Sequence, residues 1–349
     1  MHQLAKRIAG HNNISNTLAC MSNMQLIKTL ATGKPMHSGI GGTSMQIEID
    51  NIPVFVKKVP LTDLELQPEN YMSTANIFNL PMCYQYGIGS TGFSAWRELA
   101  SHIMTTNWAL TGKCANFPIM HHWRILKECE NKTISQKEQA ALKQDSSYWE
   151  NSKEIHTRLK AGILATHHIY LFMELMTDHL YQWLNKKLTC NEKEAVKALT
   201  LVESQMQKTQ AFMQSQNFLH MDAHFENILT DGKQLYYSDF GLALSHKFNL
   251  STIEMKFMQD HVNYDFTSGS INLLHCIITS FFGKKATFAD YHAHKLKSLP
   301  ATIDGIIQKH LPISLIMEKF YPDIQKDKST TYPQQQLEKL LQKLQQPSL

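Results

Sequence analysis

The chain has 349 residues, 43% hydrophobic and 18% charged. That length and balance exclude a single small module and a disordered charged tail, and predict about two domains with a sizeable core. With 34 basic and 30 acidic side chains, the net charge of +4 nominates neither nucleic acid nor an anionic membrane as partner.

The longest apolar runs, 163–165 and 169–173, stop far short of the roughly 20 residues a membrane span needs. Residues 1–10 are followed by neither an apolar core nor a cleavage site, so the expectation is a cytoplasmic protein with no membrane span. Six cysteines, at 20, 83, 114, 129, 190 and 276, form no C-x-x-C pair and read as reduced, mostly buried thiols. The pairs His121-His122 and His167-His168 are neighbours that a strand points to opposite faces, which argues against a metal site at either. No repeat of 20 to 50 residues is present.

In chain order, residues 1–36 read as an N-terminal helical extension, because Ile14, Leu18, Met21, Met24, Leu26, Ile27 and Leu30 recur at helical spacing over 13–30 and stop before Gly33 and Pro35. Gly39-Ile40-Gly41-Gly42-Thr43, then alternating Met45, Ile47 and Ile49, then Val54-Phe55-Val56 beyond Asp50-Asn51, predict strand, glycine turn, strand, turn, strand. Residues 60–93 are rich in Pro, Asn, Gly and Ser and read as an ordered loop or short-helix insertion. A helix over 94–109 and a strand over 117–126 follow. Residues 127–160 are charged and Gln-rich, which suits an exposed helical excursion. The apolar strand 169–173 leads through Glu174-Leu175-Met176 into helices at 178–188 and 192–217, and the polar tail after Lys326 carries one stripe, Leu337, Leu340, Leu341 and Leu344, of a docked terminal helix.

The chemistry concentrates in His220-Met221-Asp222-Ala223-His224-Phe225-Glu226-Asn227, followed beyond a hairpin turn at Asp231-Gly232 by Asp239-Phe240-Gly241. An H-x-D with Asn five residues past the Asp, then D-F-G, resembles the catalytic and metal-binding loops of the protein-kinase superfamily. The resemblance implies that Asp222 orients or accepts the proton of an attacking hydroxyl, while Asn227 and Asp239 hold Mg2+ on ATP through hard oxygen ligands. It also implies a nucleotide clamp upstream. Gly39, Gly41 and Gly42 stand where a phosphate-binding loop belongs, with Ser44 in place of its last glycine. Val54-Phe55-Val56-Lys57 is similar to the strand whose lysine meets the nucleotide phosphates; Lys57 fits that place and Lys58 is its rival, since only one neighbour can face the site. Glu98, in Trp96-Arg97-Glu98-Leu99, is the implied lysine partner, and Glu174 and Met176 are the implied adenine contacts at the hinge.

The implied fold is α+β and bilobal: a β-rich N-lobe over 37–173 with insertions at about 60–93 and 127–160, a mainly helical C-lobe over 174–326, and a polar C-terminal helix or tail over 327–349. The implied activity is ATP- and Mg2+-dependent phosphoryl transfer to a hydroxyl of a protein or small molecule, with no nucleic acid involved. Phrases such as Ser73-Thr74-Ala75-Asn76 and Gly92-Phe93-Ser94-Ala95-Trp96-Arg97-Glu98-Leu99 are similar to bacterial serine/threonine-kinase-like proteins. Two departures keep other acceptors open. His224 stands where protein kinases carry Lys and is similar to aminoglycoside and choline phosphotransferases, and no A-P-E follows Gly241. Three readings therefore stand: a protein serine/threonine kinase, a small-molecule hydroxyl kinase, and a nucleotide-binding pseudokinase. Asp265, ahead of the apolar helix 271–282, reads either as an anchor for the catalytic loop or as a helix cap.

Overall fold

The structure is a computed structural model that describes residues 2–39, 42–283, 287, 288 and 299–345. The fold is α+β, and the chain divides into two compact units, Met1–Met176 with Asp239–Glu254, and Thr177–Ser238 with Met255–Leu349. Residues 239–254 fall within the 174–326 region of the sequence reading yet group with the first unit.

In the first unit, helices α1 (His2–Cys20) and α2 (Asn23–Ala31) precede strands β1 (Lys34–Gly39), β2 (Gly42–Ile49) and β3 (Ile52–Leu61). With β4 (Met120–Lys127) and β5 (His167–Glu174) they make an antiparallel sheet in the order β1-β2-β3-β5-β4. The β2–β3 turn is built from Asp50 and Asn51, both with positive φ, between the paired Ile49 and Ile52, the conformation a two-residue hairpin needs and Asp and Asn tolerate. Strand alternation sends Val54, Val56 and Phe172 to one face and Val59, Leu61, Ile169, Leu171 and Met173 to the other.

The first face is covered by Ile14, Leu18 and Leu26. The N-terminal residues are thus part of the core, which corrects the reading of 1–36 as an extension. They form two helices, because Ser22 caps the second through a reciprocal box with Gln25, and β1 already begins at Lys34.

The other face carries α4 (Ala95–Leu110), whose Trp96 and Leu99 pack beside Val59 and Leu171. Ser94 caps it by accepting from the Arg97 N–H. Between β3 and α4, a single helical turn α3 (Asp63–Leu66) and two 3-10 turns, Pro68–Asn70 and Met82–Gln85, punctuate a loop that buries Phe78, Leu80, Tyr84, Tyr86 and Phe93. Residues 127–160 supply α5 (Gln136–Tyr148) and most of α6 (Lys153–Leu164). They are not a purely exposed excursion. Leu142, Trp149, Ile155 and Arg158 are buried, and Trp149 packs edge-on against Tyr84.

The second unit begins with β6 (Asp178–His179), so the helix expected from 178 starts two residues later as α7 (Leu180–Leu188). Helix α8 (Glu192–Ser215) and strand β7 (Phe218–Leu219) lead to the hairpin of β8 (Ile228–Thr230) and β9 (Leu235–Tyr237), which joins β6 in a sheet of order β6-β8-β9. Strand β10 (Leu244–Ser245) and the start of helix α9 (Thr252–Asp260) belong to the first unit; the rest of α9, α10 (Tyr264–Phe282), α11 (Ala301–Lys326) and α12 (Gln334–Gln345) complete the described elements of the second. Leu337 seats α12 by full burial. All six cysteines are free, but only Cys276 is buried and Cys20 and Cys190 are exposed, which corrects their reading as mostly buried. Among the described residues, no helix is long and apolar enough to cross a membrane.

Candidate functional site

The first unit brings together Lys57, Glu98 and Asp239. Lys57 lies on the same strand face as Phe55, Val59 and Leu61, toward α4, and its Nζ is 2.7 Å from both Glu98 Oε1 and Asp239 Oδ1. Burial opposes charge on Lys57, but the Asp239 and Glu98 carboxylates outweigh it and raise its pKa. Partial burial likewise works against ionising Asp239; the Lys57 ammonium prevails and holds the carboxyl at about 2, so Asp239 is an anion at ordinary pH. The Asp239 side chain is 41% exposed, and among the described residues only its Oδ1 is engaged, by Lys57 and by the Gly241 N–H. Its Oδ2 is a hard oxygen ligand of the kind Mg2+ takes.

Asp239 has φ +61°, a left-handed conformation costing a non-glycine residue roughly 1 to 3 kcal/mol. The Lys57 contact is one interaction that holds it there. Gly92 backs the same turn: its φ is +82°, and a Cβ at that position would stand 2.4 Å from the Gly241 carbonyl oxygen. Only glycine permits that approach.

Of the glycine loop, Gly39 and Gly42 pair across the β1–β2 turn, while Gly41 lies outside the described residues. Gly42 has a reason within the sheet itself, since φ is +151° and a Cβ would meet the Lys58 carbonyl oxygen at 2.3 Å. At the end of β5, the Glu174 N–H donates to the Ile119 carbonyl at 3.0 Å. Its carboxylate receives Arg7 Nη2 at 2.7 Å, Arg7 Nε at 3.0 Å and the Ile119 N–H at 2.8 Å. Glu174 is thus committed to the protein's own groups, whereas the Met176 main-chain N–H has no hydrogen-bond partner among the described residues.

The second unit gathers the H-x-D loop. His220 donates through Nε2 to the Ser238 carbonyl at 2.9 Å, because its Nδ1 receives the Asp222 N–H at 3.3 Å. Asn227 turns its Nδ2 to the Asp222 carbonyl and to Asp222 Oδ2, both at 3.0 Å. That fixes the amide so that Oδ1, an oxygen of the kind that binds a cation, has no hydrogen-bond partner among the described residues. His224 Nε2 stands 3.8 Å from Asp222 Oδ1, so the imidazole and carboxylate share one exposed edge.

Asp265, the second residue of α10, anchors this loop. Its Oδ2 accepts from the His220 N–H at 2.7 Å and its Oδ1 from the Met221 N–H at 2.9 Å. Those bonds hold Met221, buried at φ +66°, in a conformation that a long side chain rarely adopts. Burial raises the Asp265 pKa to about 6, against the effect of the two N–H donors.

Sequence reasoning did not single out Arg7, Arg97 or Glu254. Arg97 and Glu254 form an ion pair of 2.5 Å with both side chains 1% exposed. A basic residue beside the predicted Glu98 was the available signal. Compared with known proteins, the chain matches no family model and no curated protein.

Proposed function

We propose that this chain is an ATP- and Mg2+-dependent phosphotransferase with a bilobal protein-kinase-like fold, acting as a serine/threonine-kinase-like enzyme on a hydroxyl acceptor. The observation that carries the reading is the buried contact of Lys57 with both Glu98 and Asp239, three residues nominated from separate motifs. Lys57 is held charged and oriented to meet nucleotide phosphates. Asp222, kept in place by Asn227 and by the Asp265-anchored loop, orients the acceptor hydroxyl and takes its proton. Asp239 Oδ2 would be an oxygen ligand for the metal, a role the H-x-D motif also implies for Asn227, and the metal when bound would neutralise charge on the transferring phosphoryl group.

One observation favours a small-molecule acceptor as the second reading: His224 brings an imidazole, not a lysine ammonium, within 3.8 Å of Asp222. Transfer of labelled γ-phosphate from ATP, offered separately to the protein itself, to generic protein acceptors and to pooled hydroxyl metabolites, distinguishes the two. Asp222→Asn should abolish transfer and keep ATP binding, and Asp239→Asn should lose Mg2+-dependent binding. Binding of ATP with no transfer to any acceptor or to water would instead identify a pseudokinase.

A further inference from the structure

We infer that residues 62–93, backed by α5 and α6, form a scaffold that fixes the segment Asp239–Glu254 without phosphorylation, with Arg97 as its central positioning residue. This rests on the phosphotransferase reading and assigns that site its mode of regulation.

The two ends of the segment are tied to consecutive residues of α4. Asp239, at its start, meets Lys57, which meets Glu98; Glu254, at its end, meets Arg97 directly. Between them the 62–93 loop holds the segment at three points. The Gln85 Nε2 donates to the Leu242 carbonyl at 2.5 Å, Gly92 packs on Gly241, and the Asn249 N–H donates to Thr74 Oγ1 at 2.9 Å. Arg97 joins loop and segment. Its Nε donates to the Thr74 carbonyl at 2.7 Å, its Nη2 to Glu254, and its guanidinium lies 5.0 Å from the Phe93 ring centre and 5.7 Å from that of Phe248. The loop in turn rests on the following helices. Tyr148 donates to the Ile88 carbonyl at 2.7 Å, and Arg158 Nε donates to the Gly92 carbonyl at 3.3 Å.

In segments ordered by phosphorylation, a phosphoryl group supplies the anion that an arginine captures. Here the chain supplies that anion itself. The second Glu254 oxygen accepts from the Ser251 N–H and hydroxyl, so the carboxylate is both paired and hydrogen-bonded in a site closed to water. Ser245, the hydroxyl residue nearest the middle of the segment, is buried.

Hydrogen exchange over residues 240–250 tests the inference, with unphosphorylated protein verified by mass and the full chain throughout. Exchange in the wild type should be unchanged by phosphatase treatment. Arg97→Met should speed it by roughly tenfold or more, and should leave peptides of α8 as they were. Arg97→Lys, which keeps the charge but loses the fork that reaches two acceptors, should fall between. If Arg97→Met fails to fold, Thr74→Val and Gln85→Leu decide, because each removes one contact to the segment and should speed exchange at residues 248–250 and 241–243 respectively. Wild-type rates in the folded variants, or loosening of the segment by phosphatase, would overturn the scaffold. Labelling of Lys57 by an acyl-phosphate of ATP runs in parallel: absence of ATP-protected labelling in the wild type would reject nucleotide binding, and leave the exchange result to judge the scaffold alone.

Discussion

Lys57 and Lys58 are adjacent in β3, yet their ammonium groups answer to different carboxylates: Lys57 Nζ lies 2.7 Å from Glu98 and Asp239, and Lys58 Nζ lies 2.6 Å from Glu128. The pleat sends them to opposite faces. Lys57→Met leaves Glu98 buried without its cation, and the expected cost is about 3 kcal/mol together with loss of nucleotide binding. Lys58→Met breaks a partly exposed pair and should cost no more than about 1 kcal/mol with binding retained. Denaturant unfolding and ATP titration of both variants check this; equal, mild losses would show that the register gives Lys57 no special place.

Asp265 makes stability depend on pH in a direction opposite to that of most carboxylates. Its folded pKa of about 6 lies above the ordinary value of 3.8, so the unfolded chain releases this proton first as pH rises. Stability from the protonated group is full below the unfolded value and is lost as pH climbs through about 6. For a residue this buried, the swing is roughly 3 kcal/mol. Asp265→Asn should remove that swing, so the wild type loses stability relative to the variant between about pH 4 and pH 6. A wild-type-minus-variant difference that stays flat over this window would show that the two N–H donors offset burial.

How much of this was legible in the sequence depended on the range of the interactions. The H-x-D loop and the D-F-G triplet are local strings that the resemblance to the kinase superfamily picks out, and the Asp222–Asn227 contact, which spans five residues, lies within the first of them. Lys57 and Lys58 could not be told apart, because β3 has apolar residues on both faces and no exposed alternation marks the outside. Arg7 and Glu174 are separated by 167 residues, and Arg97 and Glu254 by 157; nothing local announces such pairs. The helical character of residues 13–30 was visible, but not the break between α1 and α2, and their burial depends on a sheet face that only the strand order creates. The 60–93 segment looked like an insertion for the same reason: Tyr84 gains Trp149, just past α5, and Phe78 gains Arg158 of α6, well beyond any sequence window.

Arg7 should be more than a surface charge. One guanidinium makes three hydrogen bonds to the two Glu174 carboxylate oxygens and one each to the carbonyls of Ala115 and Phe117, at 2.6 to 3.2 Å. Arg7→Met should cost about 3 kcal/mol, since it strands a mostly buried carboxylate. Arg7→Lys should recover part of this only, because a point ammonium cannot span four acceptors in one plane. Unfolding free energies order the three proteins. A lysine variant as stable as the wild type would show that charge alone, and not the fork, braces the end of β5.

Two glycine-to-alanine changes separate backbone freedom from close approach. At Gly10, inside α1, an added Cβ meets nothing within 4 Å, and Gly10→Ala should stabilise the protein by about 0.5 to 1 kcal/mol through a stiffer unfolded chain and better helix propensity. At Gly92, φ is +82° and the new Cβ would stand 2.4 Å from the Gly241 oxygen. Gly92→Ala should therefore destabilise by roughly 1 to 3 kcal/mol from the backbone alone. It should also shift the turn that carries Asp239, so Mg2+-dependent ATP affinity should fall along with stability, whereas Gly10→Ala should leave that affinity as it was. Melting curves with and without Mg2+ and ATP give both quantities in one measurement. A Gly92→Ala protein that loses stability but keeps the full ligand-induced shift would separate this turn from the binding site.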